Sequence, residues 1–386
     1  MKMTGTCLSS PALDRMKIPV CEPLIAGREL EYVLDCMRSG WISSKGKYIG
    51  EFERRFSEYC RCSEGISTTN GTSALHLALA SIGIKKGDEV IVPAFTMIST
   101  VLAIVYCGAT PVLVDVEPDT GNMDPHLIEE MVGPKTRAIM PVHIYGHPCD
   151  MSPILSIARK YGLYVVEDAA EAHGAEYKGK RAGGIGDVGC FSFYGNKIIT
   201  TGEGGMVVSN DEEVITNARL LKDLAFSSDN RYLHERQGFN YRMTNVQAAI
   251  GLGQLERIGQ LVEIRRSNAI KYNGLLEGVE GITLPVEKPW AKNVYWMYSI
   301  RVEEDFGIDR DHLRIELDKK GIDTRSFFIP MHMQPAFLST GLFKGEVYPI
   351  SEGLSKRGLY LPSSPQLTDG QIRYICETIR HIKEGL

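Results

Sequence analysis

From Gly65 to Val208 this chain alternates short apolar runs with helical stretches, and nothing else in it constrains the fold as strongly. EVIVP (89–93), TPVLVDV (110–116), TRAIMPVHI (136–144) and LYVVED (163–168) read as strands, with helical patterns such as 154–161 between them. Nearly continuous apolar strands separated by helices need cover on both faces, which predicts a mostly parallel sheet inside an α/β/α sandwich. CFSFY (190–194) and GGMVVS (204–209) follow each other too closely for a helix, so they are expected to be antiparallel and the sheet mixed. A helical region follows over about 244–275, and then the pattern changes. A strand over 296–302, a helix over 311–320 ended by Gly321, and a last helix opened by the capping box Thr368-x-x-Gln371 predict a second, smaller α+β domain. The expected division is a tail at 1–17, a large domain at 18–275 and a small domain at 276–386.

Composition narrows the function class. The chain has 386 residues, 43% hydrophobic and 24% charged, as in ordinary globular proteins. Its net charge of −5 argues against nucleic acid as a partner. No run approaches the roughly 18–20 apolar residues of a membrane span, and the first residues lack a signal-peptide core. The nine cysteines are an odd number scattered through apolar runs, without metal-ligand spacing, so neither a disulfide framework nor a metal is expected. A cytoplasmic location is expected from the same absences.

Three segments carry chemistry. In TTNGTSALHLALA, Asn70-Gly71-Thr72-Ser73 opens a helix; its free N–H groups suit a phosphate, although a plain N-cap accounts for the segment taken alone. In LYVVEDAAEAHGA, a buried strand delivers Glu167 and Asp168 at its C-terminal end, where open α/β sheets bind ligands. Alternation sends the two carboxylates to opposite faces, and either one alone also fits a structural ion pair. In FSFYGNKIITTGEGGMV, Lys197 lies between an apolar strand and a glycine-rich turn, where a lysine is costly unless used. Burial would lower its pKa and make it nucleophilic. Taken in this order, the three segments match pyridoxal phosphate: a helix N-terminus for the phosphate, a carboxylate for the pyridine nitrogen and a lysine for the aldehyde. The literal GxGxxG at Gly184-Ile-Gly186-Asp-Val-Gly189 precedes a strand instead of following one, so it is set aside as a glycine-rich loop.

With these segments, GWISSKGKYIGEFE, PVHIYGHPCDM and FNYRMTNVQAAIGLGQLERI make the chain from Ile18 onward resemble the DegT/StrS-type sugar-nucleotide aminotransferases, fold type I pyridoxal-phosphate enzymes, and among them the perosamine-forming members. The resemblance implies that Lys197 is the Schiff-base lysine and proton carrier and that Asp168 pairs with the pyridine nitrogen. It also implies that Gly71, Thr72 and Ser192 hold the phosphate, that Glu171 lies near the ring hydroxyl, and that Asn245 reaches the cofactor phosphate of a second subunit. Met97 stands where relatives commonly stack an aromatic on the ring; a thioether can also cover it. Arg242, Arg325 and His332 are candidates for a nucleotide diphosphate, with ordinary ion pairs as the alternative. His143 and His173 are expected in structural hydrogen bonds, and Trp296 and Tyr298 in the small-domain core. The implied reaction moves an amino group from L-glutamate to C4 of a nucleotide-linked 4-keto-6-deoxy sugar, the GDP-mannose-derived one being expected, in a homodimer that shares its sites. The alternatives are another nucleotide, a sugar 3-dehydratase, against which Lys197 argues, and a non-catalytic regulatory protein.

Overall fold

A computed structural model describes residues 17–227, 230 and 232–386; most of the expected N-terminal tail lies outside the described residues. Seven strands form the central sheet: β1 Glu64–Thr68, β2 Glu89–Pro93, β3 Thr110–Val114, β4 Thr136–Ile139, β5 Tyr164–Asp168, β6 Val188–Ser192 and β7 Gly205–Ser209. Their spatial order is β1-β7-β6-β5-β4-β2-β3. Only β7 is reversed, antiparallel to both β1 and β6, as its closeness to β6 in the chain requires. The remaining neighbours are parallel. β4 is shorter than its apolar run, because the chain turns away after Ile139 toward a 3-10 turn at Ile144–Gly146.

The sheet is covered on both sides because its strands are apolar on both. Val90, Val92, Ala138, Val166, Cys190 and Val207 pack under α3 (Gly71–Ser81), α4 (Ile98–Tyr106) and α6 (Glu212–Lys222). On the opposite face Ile91, Ile139 and Val165 meet α5 (Met151–Tyr161), while Phe191, Met206 and Val208 meet α2 (Lys47–Cys60) and α7 (Asn245–Leu255). The expected helical region at 244–275 is two helices, α7 and α8 (Ile258–Leu276), parted near Glu256 and Arg257. α1 (Glu29–Ser39) packs beside α7.

The second sheet pairs Ile282–Thr283, Tyr298–Val302, Gly358–Leu361 and Arg325–Ser326 in that order, all antiparallel. Ile300, Leu359 and Leu361 pack against Leu313, Leu317 and the Ile372, Ile375 and Ile379 stripe of the capped last helix, Asp369–Glu384. This core also takes in Ala269, Tyr272 and Leu276 of α8, and Ile18 from the other end of the chain. Ile18 donates to Gly321 O and accepts from Asp323 N, at 2.8 and 2.9 Å. The small-domain core therefore also draws on residues from 18–275, because α8 runs through both cores and Ile18 bridges to Ile322.

Arg265 on α8 fixes the junction. It is 3% exposed and donates to Trp296 O and Ser363 O at 2.8 and 2.7 Å. Replacing Arg265 by Met leaves two buried carbonyls unpaired, at about 1–3 kcal/mol each. Arg265→Met should lower the unfolding free energy by about 2–4 kcal/mol in urea titrations; an unchanged midpoint would show that the junction does not depend on it.

Candidate active site

All strands but β7 run the same way, so the ends of β1, β2, β4, β5 and β6 gather at one edge of the sheet. Between that edge and the small domain lies a cleft of about 640 Å³. Gly71, Thr72, Met97, Asp168, Glu171, Ser192, Lys197 and Arg325, all singled out in the sequence, line it.

The end of β5 decides what faces the cleft. Glu167 turns away and is fully buried; it accepts from Gly183 N, Ile185 N and Gly186 N at 2.8, 2.7 and 2.6 Å and lies 2.9 Å from His143 Nε2. The glycine-rich loop therefore receives a carboxylate of its own chain. Asp168, one residue on, faces the cleft. Its Oδ2 accepts from Thr100 Oγ1 at 2.8 Å and its Oδ1 from Ala170 N at 3.1 Å. Burial pushes its pKa up, while the Thr100 and Ala170 bonds and the Lys197 charge oppose the rise. A buried carboxylate of this kind is best satisfied by a cationic N–H.

Lys197 follows β6 in the turn before β7. Burial lowers its pKa, against the nearby charges of Glu171 and Asp168. Glu171 Oε1 is 3.8 Å from its Nζ, and Glu171 Oε2 accepts from Tyr145 N at 2.7 Å. Burial carries the Glu171 pKa up to about 7. The Trp296 ring lies over the Lys197 amine, its centroid 3.7 Å from Nζ.

The opposite end of the cleft suits an anion. Asn70 caps α3 through Ser73 N at 2.8 Å, leaving Gly71 and Thr72 as its first two residues, whose N–H groups have no intrahelical partner. Thr72 Oγ1 donates to Ser99 Oγ at 3.0 Å, and Ser192 lies against Gly71. A Cβ on Gly71 would stand 2.8 Å from Ser192 Cβ, so only glycine lets the helix start this close to β6. A helix N-terminus, three hydroxyls, a buried carboxylate and a buried amine in one cleft fit a phosphorylated pyridine aldehyde.

The other expectations divide. Arg325 lines the cleft mouth, paired with Asp323. Arg242 lies outside the lining, bonded to Asp223 at 2.7 Å and to Asn240. His332 is also outside it, buried beside Glu352 at 2.9 Å, because its segment turns from the cleft into a 3-10 turn. Asn245 faces its own chain: it accepts from Tyr48 N and donates to Trp41 O, at 3.0 and 2.7 Å, and so pins the loop between α1 and α2. Met97 lines the cleft, half exposed at 46%. Structural bonding holds for His143, whose Nδ1 accepts from Cys149 N at 3.0 Å. The His173 ring lies buried among Phe56, Phe191 and Phe193, with the Ser192 backbone as its polar neighbour. Tyr298 packs in the small-domain core, but Trp296 does not: its ring turns toward the large domain and its Nε1 donates to Asn196 O at 2.8 Å. Trp296, Ser99, Tyr360 and the Pro19–Cys21 segment are among the lining residues that the sequence patterns did not mark as site residues, and Thr100 stands behind them, bonded to Asp168.

A family model described as the DegT/DnrJ/EryC1/StrS aminotransferase family matches residues 23–380. The chain belongs to this family. Its relatives include the GDP-perosamine synthase of Caulobacter vibrioides, 47% identical over 96% of this chain and 99% of that one. The GDP-perosamine synthase of Escherichia coli O157:H7 is 45% identical over 94% and 97%. Among solved structures, Spr1654 from Streptococcus pneumoniae in its PLP-form superposes with a TM-score of 0.90 at 30% identity, over 96% of this chain and 99% of that one.

Gly71→Ala should destabilise the fold by about 1–3 kcal/mol through the Ser192 contact. Adding Ser192→Gly should recover most of the loss in thermal or urea unfolding. Equal losses in the single and double variants would show that the close approach is not the cause.

Proposed function

We propose that this enzyme uses pyridoxal 5'-phosphate to move an amino group from L-glutamate to C4 of GDP-4-keto-6-deoxy-D-mannose, giving GDP-perosamine. The observation that carries the aminotransferase reading is the pairing of a buried lysine amine with a buried carboxylate in one cleft, at whose end a helix begins. Bound there, the cofactor supplies an aldehyde for amine exchange and a protonated ring that withdraws electrons. Gly71, Thr72, Ser99 and Ser192 would hold its phosphate, and Asp168 would keep its ring nitrogen protonated. Lys197 Nζ takes up and returns the proton at the carbon that loses or gains the amine, first on the donor and then at sugar C4. Its lowered pKa leaves more of the amine neutral near pH 7 than an exposed lysine would have. Glu171 stands ready to share a proton beside it.

The choice of nucleotide sugar rests on the two GDP-perosamine synthases, which match over nearly their full lengths. A diphosphate needs a cation at the cleft mouth, and Arg325, which lines that mouth, would supply it. A homodimer is part of the proposal. Leu30, Leu34, Met37, Trp41 and Ile42 form an exposed apolar strip along α1 and the loop after it, 68% exposed at Leu30 and 56% at Trp41. A second copy of the chain would cover this strip.

Turnover on GDP-, dTDP- and UDP-linked 4-keto-6-deoxy sugars, followed by 2-oxoglutarate release, tests the substrate. A site that hydrogen-bonds guanine should favour the GDP sugar by about 100-fold or more in kcat/KM. Comparable values for all three would overturn the guanine preference and leave the aminotransferase reading standing. Absence of amination of any nucleotide sugar, with glutamate still converted, would move the acceptor outside this class.

The two carboxylates at the end of β5 should part in their effects. Asp168→Asn should retain cofactor through gel filtration while kcat falls about 100-fold or more. Glu167→Gln should lower the unfolding midpoint and leave kcat within about threefold, since its partners, three backbone N–H groups and the His143 ring, lie outside the cleft lining. The reverse pattern would mean that Glu167 serves the ring.

A further inference from the structure

Lys197 Nζ has an aromatic face as its near neighbour, and that ring is held from three directions. Its face lies 3.7 Å from Nζ, centroid to nitrogen. Its edge is tied to the lysine's own turn, because Nε1 donates to Asn196 O at 2.8 Å. Its backbone is tied to the large domain, because Arg265 Nη1 donates to Trp296 O at 2.8 Å. The ring comes from the small domain, on the segment leading into Tyr298–Val302, yet it packs with the large-domain core. A ring braced in this way is set for a cation over its face.

We propose that Trp296 is a positioning residue for Lys197, whose ring face holds the lysine ammonium at the cleft whenever the amine is not joined to cofactor. The proposal rests on the reading of Lys197 as the reactive amine. A lysine that takes up a proton must be charged for part of the reaction, and a buried ammonium without a stabilising partner would leave its place or stay neutral. The carboxylate nearby supports the charge from the far end of ion-pair range: Glu171 Oε1 stands 3.8 Å away, and its other oxygen is engaged by Tyr145 N. The remaining titratable groups that face Lys197 are Asp168 at the end of β5, Cys21 on the N-terminal segment and His173. Asp168 is occupied by Thr100 and Ala170. His173 is held neutral by burial, with a pKa of about 3, and lends no charge at neutral pH. The indole face, its centroid 3.7 Å from Nζ, thus shares the ammonium with Glu171 Oε1 at 3.8 Å.

The test uses the full-length chain freed of cofactor. The rate of acylation of Lys197 by an amine-reactive acetyl ester, read by peptide mass spectrometry across a pH series, reports the lysine pKa. Trp296→Leu removes the ring face, and the Lys197 pKa should fall by about one unit, making acylation at a fixed lower pH roughly tenfold faster. Trp296→Phe keeps a weaker face and should give a smaller fall. If Trp296→Leu fails to fold, fluorinated tryptophan incorporated throughout the chain, which also replaces Trp41 and Trp290, weakens the ring face with little change of shape. It should lower the Lys197 pKa in steps with the number of fluorines, and should have no effect in a Trp296→Phe background. A Lys197 pKa that does not move on fluorination, or that stays within about 0.2 units in Trp296→Leu, overturns the proposal. The parent reading fails separately: borohydride reduction of the cofactor-loaded wild type that labels a lysine other than Lys197 removes it, whatever Trp296 does.

Discussion

The register of β5 is the constraint on which the site depends. Two carboxylates stand side by side at its end, and a strand can show only one of them to the cleft. The choice is made by the groups that wait for the other one. Three backbone N–H groups from the glycine-rich loop and the His143 ring converge on Glu167, at distances of 2.6–2.9 Å. A slip of one residue would leave those donors empty and would put a carboxylate with no partners into an apolar layer. With Glu167 fixed, Asp168 must face the cleft, and the sheet order then sets Ser192 and the start of α3 at a fixed distance across it.

The small domain completes this site from the other side. Arg265 on α8 bonds carbonyls on two separate small-domain segments, so the long helix acts as a rod shared by both cores. Tyr272 belongs to the same arrangement, stacked on Tyr298 at 4.4 Å between ring centroids. The floor of the cleft is rigid because it is made of strand ends, and its far wall is held because α8 penetrates both domains. The carboxylate and the amine therefore have a settled environment, and burial can shift their proton affinities in opposite directions toward each other.

What could be read from the sequence was whatever depends on neighbours in the chain. The alternation of apolar runs and helices predicted the layered sheet, and the closeness of β6 and β7 predicted their antiparallel pairing. Asp168 and Lys197 stood out because each combines a costly residue type with a strand end or a glycine turn. Trp296 did not stand out, since its role comes from an approach between domains that no local pattern records. His332 and Arg242 were singled out for the diphosphate by residue type alone; within the chain they lie beside Glu352 and Asp223, outside the cleft lining. The GxGxxG match shows the same limit: glycines that offer N–H groups to an anion leave a similar trace whether the anion is a ligand or Glu167.

The N-terminal segment binds the structure together across nearly the whole chain. Ile18 pairs with residues 321 and 323, Ser363 N donates to Val20 O, and Ser364 Oγ donates to Glu22 O across 342 positions. Cys21 then reaches Asn196 O beside Lys197 at 3.4 Å. At about 5–20 residues per second, translation delays these contacts by roughly 17–70 seconds after the early segment is made. During that interval the parallel sheet can assemble with one wall of its cleft open and Ile18 exposed. The nascent enzyme is thus a vectorial folding problem in which the last fifth of the chain seals a seam begun by the first tenth, and holding Ile18 and Val20 in solution until then is a demand on the ribosome-bound state, not on the finished protein.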